Sequence, residues 1–117
     1  MKTGDIIDKP WGSERLLDVN EHYVVKHLII RCGHRLSLQY HERKRETMFL
    51  VSGGADLTRR GPAGVDATDS MVHGVTYVIE SGTVHRLRGT SSEDALILEV
   101  STPELGDVVR LEDDYGR

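Results

Sequence analysis

The chain has 117 residues, one cysteine and a formal net charge of −4, from 15 basic and 19 acidic residues. This length is typical of one domain with one hydrophobic core, so residues 1–117 are taken as a single domain. The acidic balance argues against a nucleic-acid-binding protein, which needs a basic surface. One cysteine cannot form an intramolecular disulfide, and we expect Cys32 to be a small buried residue in a strand.

The N-terminal sequence MKTGDIIDKPWG lacks the apolar segment of a signal peptide. No apolar run approaches the roughly 20 residues that span a bilayer. We therefore expect a cytoplasmic protein that has neither a membrane nor a nucleic acid as its partner.

Short segments rich in β-branched residues alternate with glycine-rich turns along the chain. The predicted strands are 23–30, 36–39, 48–51, 75–79 and 95–100, and the turns are 52–54, 60–64 and 81–83. Between residues 20 and 100 no apolar period of 3.6 residues is long enough for a helix of more than about three turns. The pattern predicts an all-β sandwich or barrel, with residues 104–117 as a loop, a short strand or a docked tail.

Two sets of residues with fixed spacing stand out. The first comprises Gly33, Gln39, His41, Glu46 and Gly53, and the second comprises Gly74, Glu80, Gly82 and His85. Their spacings resemble the two signature motifs of the cupin superfamily, although Gln39 replaces a histidine of the family, Glu80 replaces a proline and Gly89 an asparagine. The resemblance implies a single-domain jelly-roll β-barrel, in agreement with the strand pattern.

The spacing of the first set has a geometric meaning. Residues two apart on a strand point to the same side, so Gln39 and His41 project together, and Glu46 can face them after a turn. His85 comes from another strand. Imidazole, carboxylate and amide donors suit one divalent metal, Zn first, and also Mn, Fe, Co or Ni. Glu42 is the competing carboxylate.

A closer resemblance covers nearly the whole chain. It is carried by residues 9–13, 23–26, 35–39, 51–53, 82–87 and 108–117, which include PWGS, LSLQ and the ending RLEDDYGR. These stretches resemble the C-terminal isomerase domain of type II mannose-6-phosphate isomerase / mannose-1-phosphate guanylyltransferase. The resemblance makes Gln39 a metal ligand beside His41, Glu46 and His85. The chain departs from the family at Glu42, Arg43 and Thr47, which replace histidines, and at Lys44, which replaces an arginine.

The activity implied by the resemblance is aldose–ketose isomerisation of a sugar phosphate, mannose 6-phosphate to fructose 6-phosphate, through an enediol. The candidate catalytic residues are Lys44, Glu42 and Arg110, with Glu112 and Asp114 as further acid/base candidates. The candidate phosphate-binding residues are Lys26, Arg86 and Arg117, again with Arg110.

Two other functions fit the same residues. One is a metal-holding cupin that binds a sugar or a small acid as an accessory protein. The other is an iron-dependent oxygenase, because two histidines and a carboxylate also suit that chemistry. Pairing through edge strands would cover exposed backbone groups, so we expect a homodimer.

Overall fold

The structure is a computed structural model that describes all residues from 1 to 117. It contains eleven β-strands and no helix. The strands are β1 (Ile6–Lys9), β2 (Gly12–Val19), β3 (Val24–Ile30), β4 (Leu38–Tyr40), β5 (Glu46–Ser52), β6 (Ala55–Arg60), β7 (Asp66–Ser70), β8 (Tyr77–Ile79), β9 (His85–Gly89), β10 (Ala95–Ser101) and β11 (Val109–Glu112). The all-β prediction is confirmed, and every predicted strand overlaps an observed one.

The strands form two antiparallel sheets. The first sheet has the order β1-β2-β3-β10-β5-β8, and the second has the order β11-β4-β9-β6-β7. The sheets face each other as a sandwich and do not close into the barrel that the sequence predicts. The outermost strands β1, β8, β11 and β7 have only four, three, four and five residues. None of them pairs with a strand of the other sheet, so the edges stay open.

The core lies between the two sheets because alternate side chains of each strand point inward. Every second residue is buried along β3, along β10 and along the first five residues of β5. The apolar cluster combines Leu28, Ile30, Met48, Leu50, Ile79 and Ile97 of the first sheet with Ala55, Leu57 and Leu87 of the second. Burial of such side chains supplies most of the folding energy.

The prediction for Cys32 is wrong. Strand β3 ends at Ile30, and Cys32 is exposed in the turn that follows. Gly33 has a φ of 76°, a left-handed conformation that glycine adopts readily, and it reverses the chain there. Cys32 is thereby carried out of the sheet.

Residues 104–117 contain a short strand and a docked end. Strand β11 pairs with β4, and Arg35 donates two hydrogen bonds to the Asp114 carboxylate, at 2.7 and 2.8 Å. The Tyr115 hydroxyl lies 2.9 Å from His34 Nδ1. The tail thus closes over one end of the sandwich. None of the chain forms a helix with the length and apolar character that a membrane crossing requires.

Candidate metal centre and its cavity

Three elements bring His41, Glu46 and His85 together between the sheets. His41 directly follows β4, Glu46 begins β5, and His85 begins β9. The backbone N–H of Gly82 donates to the carbonyl of His41 at 2.7 Å. Gly82 has a φ of 81°, so the second glycine-rich turn folds back against the first motif and delivers His85 beside His41.

The three side chains form a buried His–Glu–His cluster. Their ligand atoms all lie within 4.8 Å of one another. Glu46 Oε1 is 2.5 Å from His41 Nε2 and 3.5 Å from His85 Nε2. Each side chain is at most 3% exposed.

Backbone carbonyls fix the orientation of both imidazoles. His41 Nδ1 lies 2.5 Å from the carbonyl oxygen of Asp107, and His85 Nδ1 lies 2.9 Å from that of Thr83. A carbonyl oxygen only accepts, so each Nδ1 carries a hydrogen, and each Nε2 is the ring nitrogen that faces Glu46. His41 Nε2 and Glu46 Oε1 are buried without a hydrogen-bond partner.

This donor set fits a divalent metal ion. Converging lone pairs of imidazole nitrogens and a carboxylate repel one another unless a cation lies among them, and a metal-ligating histidine characteristically donates its other N–H to a carbonyl or carboxylate. The cluster could therefore hold a metal ion. Its chemistry agrees with Zn, Mn, Fe, Co or Ni.

Gln39 and Glu42 occupy different settings. Gln39 pairs with His85 across the β4–β9 ladder, and its Oε1 accepts a hydrogen bond from Ser37 Oγ at 2.7 Å. It lines the same cavity as His41 and Glu46, and its role as a ligand stays a prediction. Glu42 is exposed in the β4–β5 loop, outside the cavity lining.

A buried charge group adjoins the cluster. Lys26 Nζ lies 3.4 Å from Glu14 Oε1 and 3.4 Å from Glu99 Oε2. Burial works to lower the pKa of Lys26, but Glu99, Glu14 and Glu46 outweigh it and raise the pKa above its ordinary value. Burial, followed by the negative charge of Glu46, raises the pKa of Glu99 to about 8. Burial also opposes the charge of Glu46, but the adjacent Glu99, His41 and His85 side chains hold its pKa well below the ordinary value.

Sequence reasoning missed Glu99. It is an acidic residue in the apolar run ALILEV, without a motif around it. The signal that could have found it is the period of two, which places Ala95, Ile97 and Glu99 on one side of β10. A carboxylate in that series has to face the interior.

A cavity of about 330 Å³ opens from the cluster, and its walls carry five cationic side chains: Lys9, Lys26, Lys44, Arg110 and Arg117. Lys26 is paired as described, and Arg117 Nε donates to Asp113 at 3.0 Å. Lys9, Lys44 and Arg110 have no side-chain ion pair or hydrogen bond within the protein. Lys44 is also buried, with an exposed fraction of 7%.

Arg86 lies away from this cavity. Its guanidinium donates to the backbone carbonyls of Leu36 and Glu112, at 2.9 and 3.3 Å. These bonds connect β9 to the segment before β4 and to the end of β11. Burial lowers the pKa of Arg86.

Asp107 organises the loop that carries His41. Its carboxylate accepts hydrogen bonds from the backbone N–H groups of Glu42, Arg43 and Lys44, at 3.0, 2.8 and 2.9 Å, and its own carbonyl accepts from His41. Sequence reasoning did not single out this residue. Its role depends on a contact between segments 63 to 66 residues apart.

Comparison with solved structures defines the fold class. CapF from Staphylococcus aureus superposes with a TM-score of 0.80 at 19% identity, covering 92% of this chain and 34% of CapF. Oxalate decarboxylase from Lactobacillus farciminis gives 0.79 at 19% identity, over 92% of this chain and 33% of that protein. KdgF from Halomonas sp. gives 0.74 at 17% identity, over 88% and 91%. The chain has the cupin fold.

The family is defined by sequence. Residues 1–113 match the family described as mannose-6-phosphate isomerase C-terminal, and the chain belongs to this family. The alginate biosynthesis protein AlgA from Pseudomonas aeruginosa is 37% identical over 112 residues, which are 93% of this chain and 22% of AlgA. The mannose-1-phosphate guanylyltransferase ManC from Salmonella typhimurium is 32% identical over the same shares. The chain therefore spans about a fifth of the length of these relatives.

Proposed function

We propose that the protein is a metal-dependent isomerase of sugar phosphates, of the type that interconverts mannose 6-phosphate and fructose 6-phosphate. The observation that carries this proposal is the composition of one cavity. Its wall holds His41 and Glu46 of the His–Glu–His cluster together with the unpaired cations Lys9, Lys44 and Arg110. A phosphorylated sugar needs both features, one for its oxygens near the reacting carbons and one for its phosphate.

His41, Glu46 and His85 would hold a divalent ion, with Gln39 as an additional oxygen donor and Zn as the ion that the nitrogen-rich set suits first. When bound, such an ion polarises the carbonyl and hydroxyl oxygens of a sugar. The carbonyl of Asp107 keeps His41 in the tautomer that this role requires.

Lys44 and Arg110 are the residues best suited to the phosphate. The Lys44 side chain is largely buried and forms no ion pair, so its ammonium is free to pair with an anion that enters the cavity. A guanidinium can hold two phosphate oxygens at once. Lys26 and Arg117, which the sequence suggests for this role, are already neutralised by carboxylates.

The transfer of a proton between C2 and C1 needs an acid/base group that faces the sugar. Four carboxylates line the cavity. Glu46 belongs to the cluster, and Asp107 is held by three backbone N–H groups. The remaining two are Glu14 and Glu99. Glu14 is the candidate for removing the proton from C2, and Glu99, whose pKa is raised to about 8, is the candidate for supplying a proton.

Binding tests the phosphate subsite. Titration calorimetry of the metal-loaded protein should show mannose 6-phosphate binding at least about tenfold more tightly than mannose, since charged hydrogen bonds to the phosphate contribute roughly 1.5–3 kcal/mol each. Lys44→Met should remove most of this difference. Arg43→Met is the matched control, because the exposed Arg43 side chain lies outside the cavity. Equal binding of both sugars by the parent protein would refute the proposal.

Turnover tests the reaction itself. Mannose 6-phosphate should be converted to fructose 6-phosphate, and Glu14→Gln or Glu99→Gln should abolish conversion while the sugar phosphate still binds. Glu42→Gln serves as the control, since Glu42 lies outside the cavity. If Glu14→Gln and Glu99→Gln both still convert mannose 6-phosphate and Glu42→Gln does not, the acid/base residue lies in the β4–β5 loop instead.

An iron-dependent oxygenase is the second candidate, because two histidines and one carboxylate are the ligand set of non-haem iron oxygenases. The metal in the purified protein separates the two functions. Stoichiometric iron together with oxygen consumption, and no isomerisation, would favour the oxygenase.

A further inference from the structure

A buried lysine lies between the two carboxylates that we propose for the proton transfer. Lys26 is on β3, flanked by Glu14 on β2 and Glu99 on β10, and these three strands are neighbours in the first sheet. Lys26 Nζ is 3.4 Å from Glu14 Oε1 and 3.4 Å from Glu99 Oε2. All three side chains line the cavity. The cavity wall therefore presents one cation between two carboxylates.

Stability alone does not account for a lysine at this position. A buried ion pair contributes no more to folding than well-packed apolar side chains of similar volume, because both charges lose their hydration. The same two strands supply such apolar side chains two residues further along, where Leu28 of β3 opposes Ile97 of β10 in the core. What distinguishes Lys26 from these neighbours is that its charged group meets the cavity.

One N–H of the Lys26 ammonium has no partner in the protein. An ammonium has three donors and no acceptor. Glu14 and Glu99 face two of them, and no third acceptor is in contact with Nζ. Since Lys26 lines the cavity, the third N–H is available to an oxygen atom of a bound molecule. Burial works to lower the pKa of Lys26, but Glu99, Glu14 and Glu46 raise it, so the group keeps its proton at neutral pH.

The position of this donor determines which oxygen it can reach. Because Nζ contacts both carboxylates, their nearest oxygens are no farther apart than twice the 3.4 Å contact. A sugar whose C1–C2 unit lies within reach of both Glu14 and Glu99 therefore places its carbonyl oxygen O1 near the ammonium. When Glu14 removes the C2 proton, the C2–H electron pair forms the C1=C2 bond and the pair of the carbonyl π bond moves onto O1. Negative charge develops at that atom.

We infer that Lys26 donates a hydrogen bond to O1 of the sugar and stabilises the negative charge that develops there in the enediolate. This inference rests on the proposed function and deepens it. Lys26 transfers no proton. Glu99 protonates O1 and then removes the proton of the hydroxyl on C2, so that the C2=O bond forms while Glu14 returns its proton to C1. Both carboxylates end in their starting states, and the cation between them serves both halves of the reaction.

The first test separates kcat from KM in the metal-loaded protein. Lys26→Met removes the donor, and Lys26→Gln keeps an N–H group between the carboxylates but removes the charge, which is the milder change for the fold. Both should lower kcat for mannose 6-phosphate by roughly 100-fold or more, because a fixed donor to a developing oxyanion is lost. KM should stay within about threefold of the parent value, since the phosphate is bound by Lys44 and Arg110.

The matched control is Lys2→Met, because the exposed Lys2 lies outside the cavity. This variant should leave kcat and KM unchanged. Circular dichroism spectra show whether each variant keeps the all-β fold, and Lys26→Gln carries the comparison if Lys26→Met does not fold.

The second test measures binding and does not depend on turnover. The hydroxamate of a five-carbon aldonic acid 5-phosphate has a planar, negatively charged group in place of the C1–C2 unit, and so resembles the enediolate. Titration calorimetry should show that Lys26→Met and Lys26→Gln bind this compound at least about tenfold more weakly than the parent, because an analogue of the transition state depends on the contacts made there. Lys2→Met should bind it as the parent does.

Three results would overturn the inference while the proposed function stands. They are a kcat within about threefold of the parent in both Lys26 variants, an undiminished affinity of both for the hydroxamate, and a KM that rises as strongly as kcat falls. The last result would mean that Lys26 binds the substrate and not the enediolate. A parent protein that converts no sugar phosphate would overturn the proposed function, and this inference with it.

Discussion

The two ends of the sandwich interior are built from the same strands but from opposite kinds of side chain. At one end the inward residues are apolar: Ile30 of β3, Leu50 of β5, Leu87 of β9 and Ile97 of β10. At the other end the same strands turn inward Lys26, Glu46, His85 and Glu99. On β3 and β10 the polar end begins where Glu99 directly opposes Lys26 across the ladder.

This difference shows that the two ends of the interior contribute separately to stability and to ligand binding. The apolar end stabilises the sandwich by burial, and the polar end holds desolvated charges and unpartnered ligand atoms that a folding domain would otherwise avoid. Stability and chemistry should therefore respond to mutations at different ends.

The largest effect is expected from the two histidines. His41→Ala and His85→Ala should each lower metal affinity by more than the ~100-fold that loss of an outer-sphere partner can cost, since each removes a ligand. Each variant should also be less stable than the metal-free parent, because the buried Glu46 carboxylate loses a partner that holds its pKa low. Competition with a chelator and thermal unfolding measure the two quantities. His27→Ala, outward on the first sheet, is the control, and full metal retention in both variants would disprove the assignment.

The apolar end should behave in the opposite way. Ile97→Ala should lower the free energy of unfolding by about 2–5 kcal/mol, because it opens a cavity among fully buried side chains. Urea denaturation measures this loss. The folded variant should bind metal within a few-fold of the parent, by the estimate that distant sites act independently. A selective loss of metal with unchanged stability would mean that the two ends are not separate.

Asp107 offers an intermediate effect at the polar end. Asp107→Ala removes the acceptor for three loop N–H groups and should loosen His41, so we expect metal affinity to fall by roughly 10- to 100-fold. Asp107→Asn keeps one acceptor oxygen and should lie between the variant and the parent. Asp114→Ala changes another acidic residue of the tail, away from His41, and should leave affinity unchanged. Unaltered metal affinity in Asp107→Ala would mean that His41 is positioned without the loop.

The smallest effect concerns the docked tail and its pH dependence. The hydrogen bonds from Arg35 hold the pKa of Asp114 below its ordinary value of 3.8, so the contact contributes fully above that value and is lost as the pH falls through the lowered one. Asp114→Asn should have a slightly lower melting temperature than the parent at neutral pH. The gap should close on acidification below 3.8, and a gap that widens there would contradict the assignment.

That His41, Glu46 and His85 lie close together can be predicted from the sequence because the information is local. The spacing of Gln39 and His41 follows from strand periodicity, Glu46 begins the next strand after a short loop, and the glycine turn before His85 is readable as a motif. The chain order of the strands is likewise local, since β-branched runs and glycines mark them.

What the sequence does not predict depends on contacts between distant segments. Whether the sheets close into a barrel depends on which outer strands pair. The direction of the Arg86 guanidinium depends on where Leu36 and Glu112 lie, and the role of Asp107 depends on the return of the tail to the β4–β5 loop. The inward direction of Glu99 can be predicted from strand periodicity. Its ion pair cannot, because Lys26 lies on another strand.

The contact between Asp107 and His41 has a consequence for the order of folding. The two residues are 66 positions apart in the chain, and the contacts of the tail with His34 and Arg35 span 81 and 79 positions. Closing such long loops lowers the folding rate, because chain entropy is lost before the stabilising contacts form. The His41 imidazole cannot be fully oriented in a growing chain until residue 107 has been synthesised. Acquisition of a ligand at this centre should therefore be among the last steps of folding.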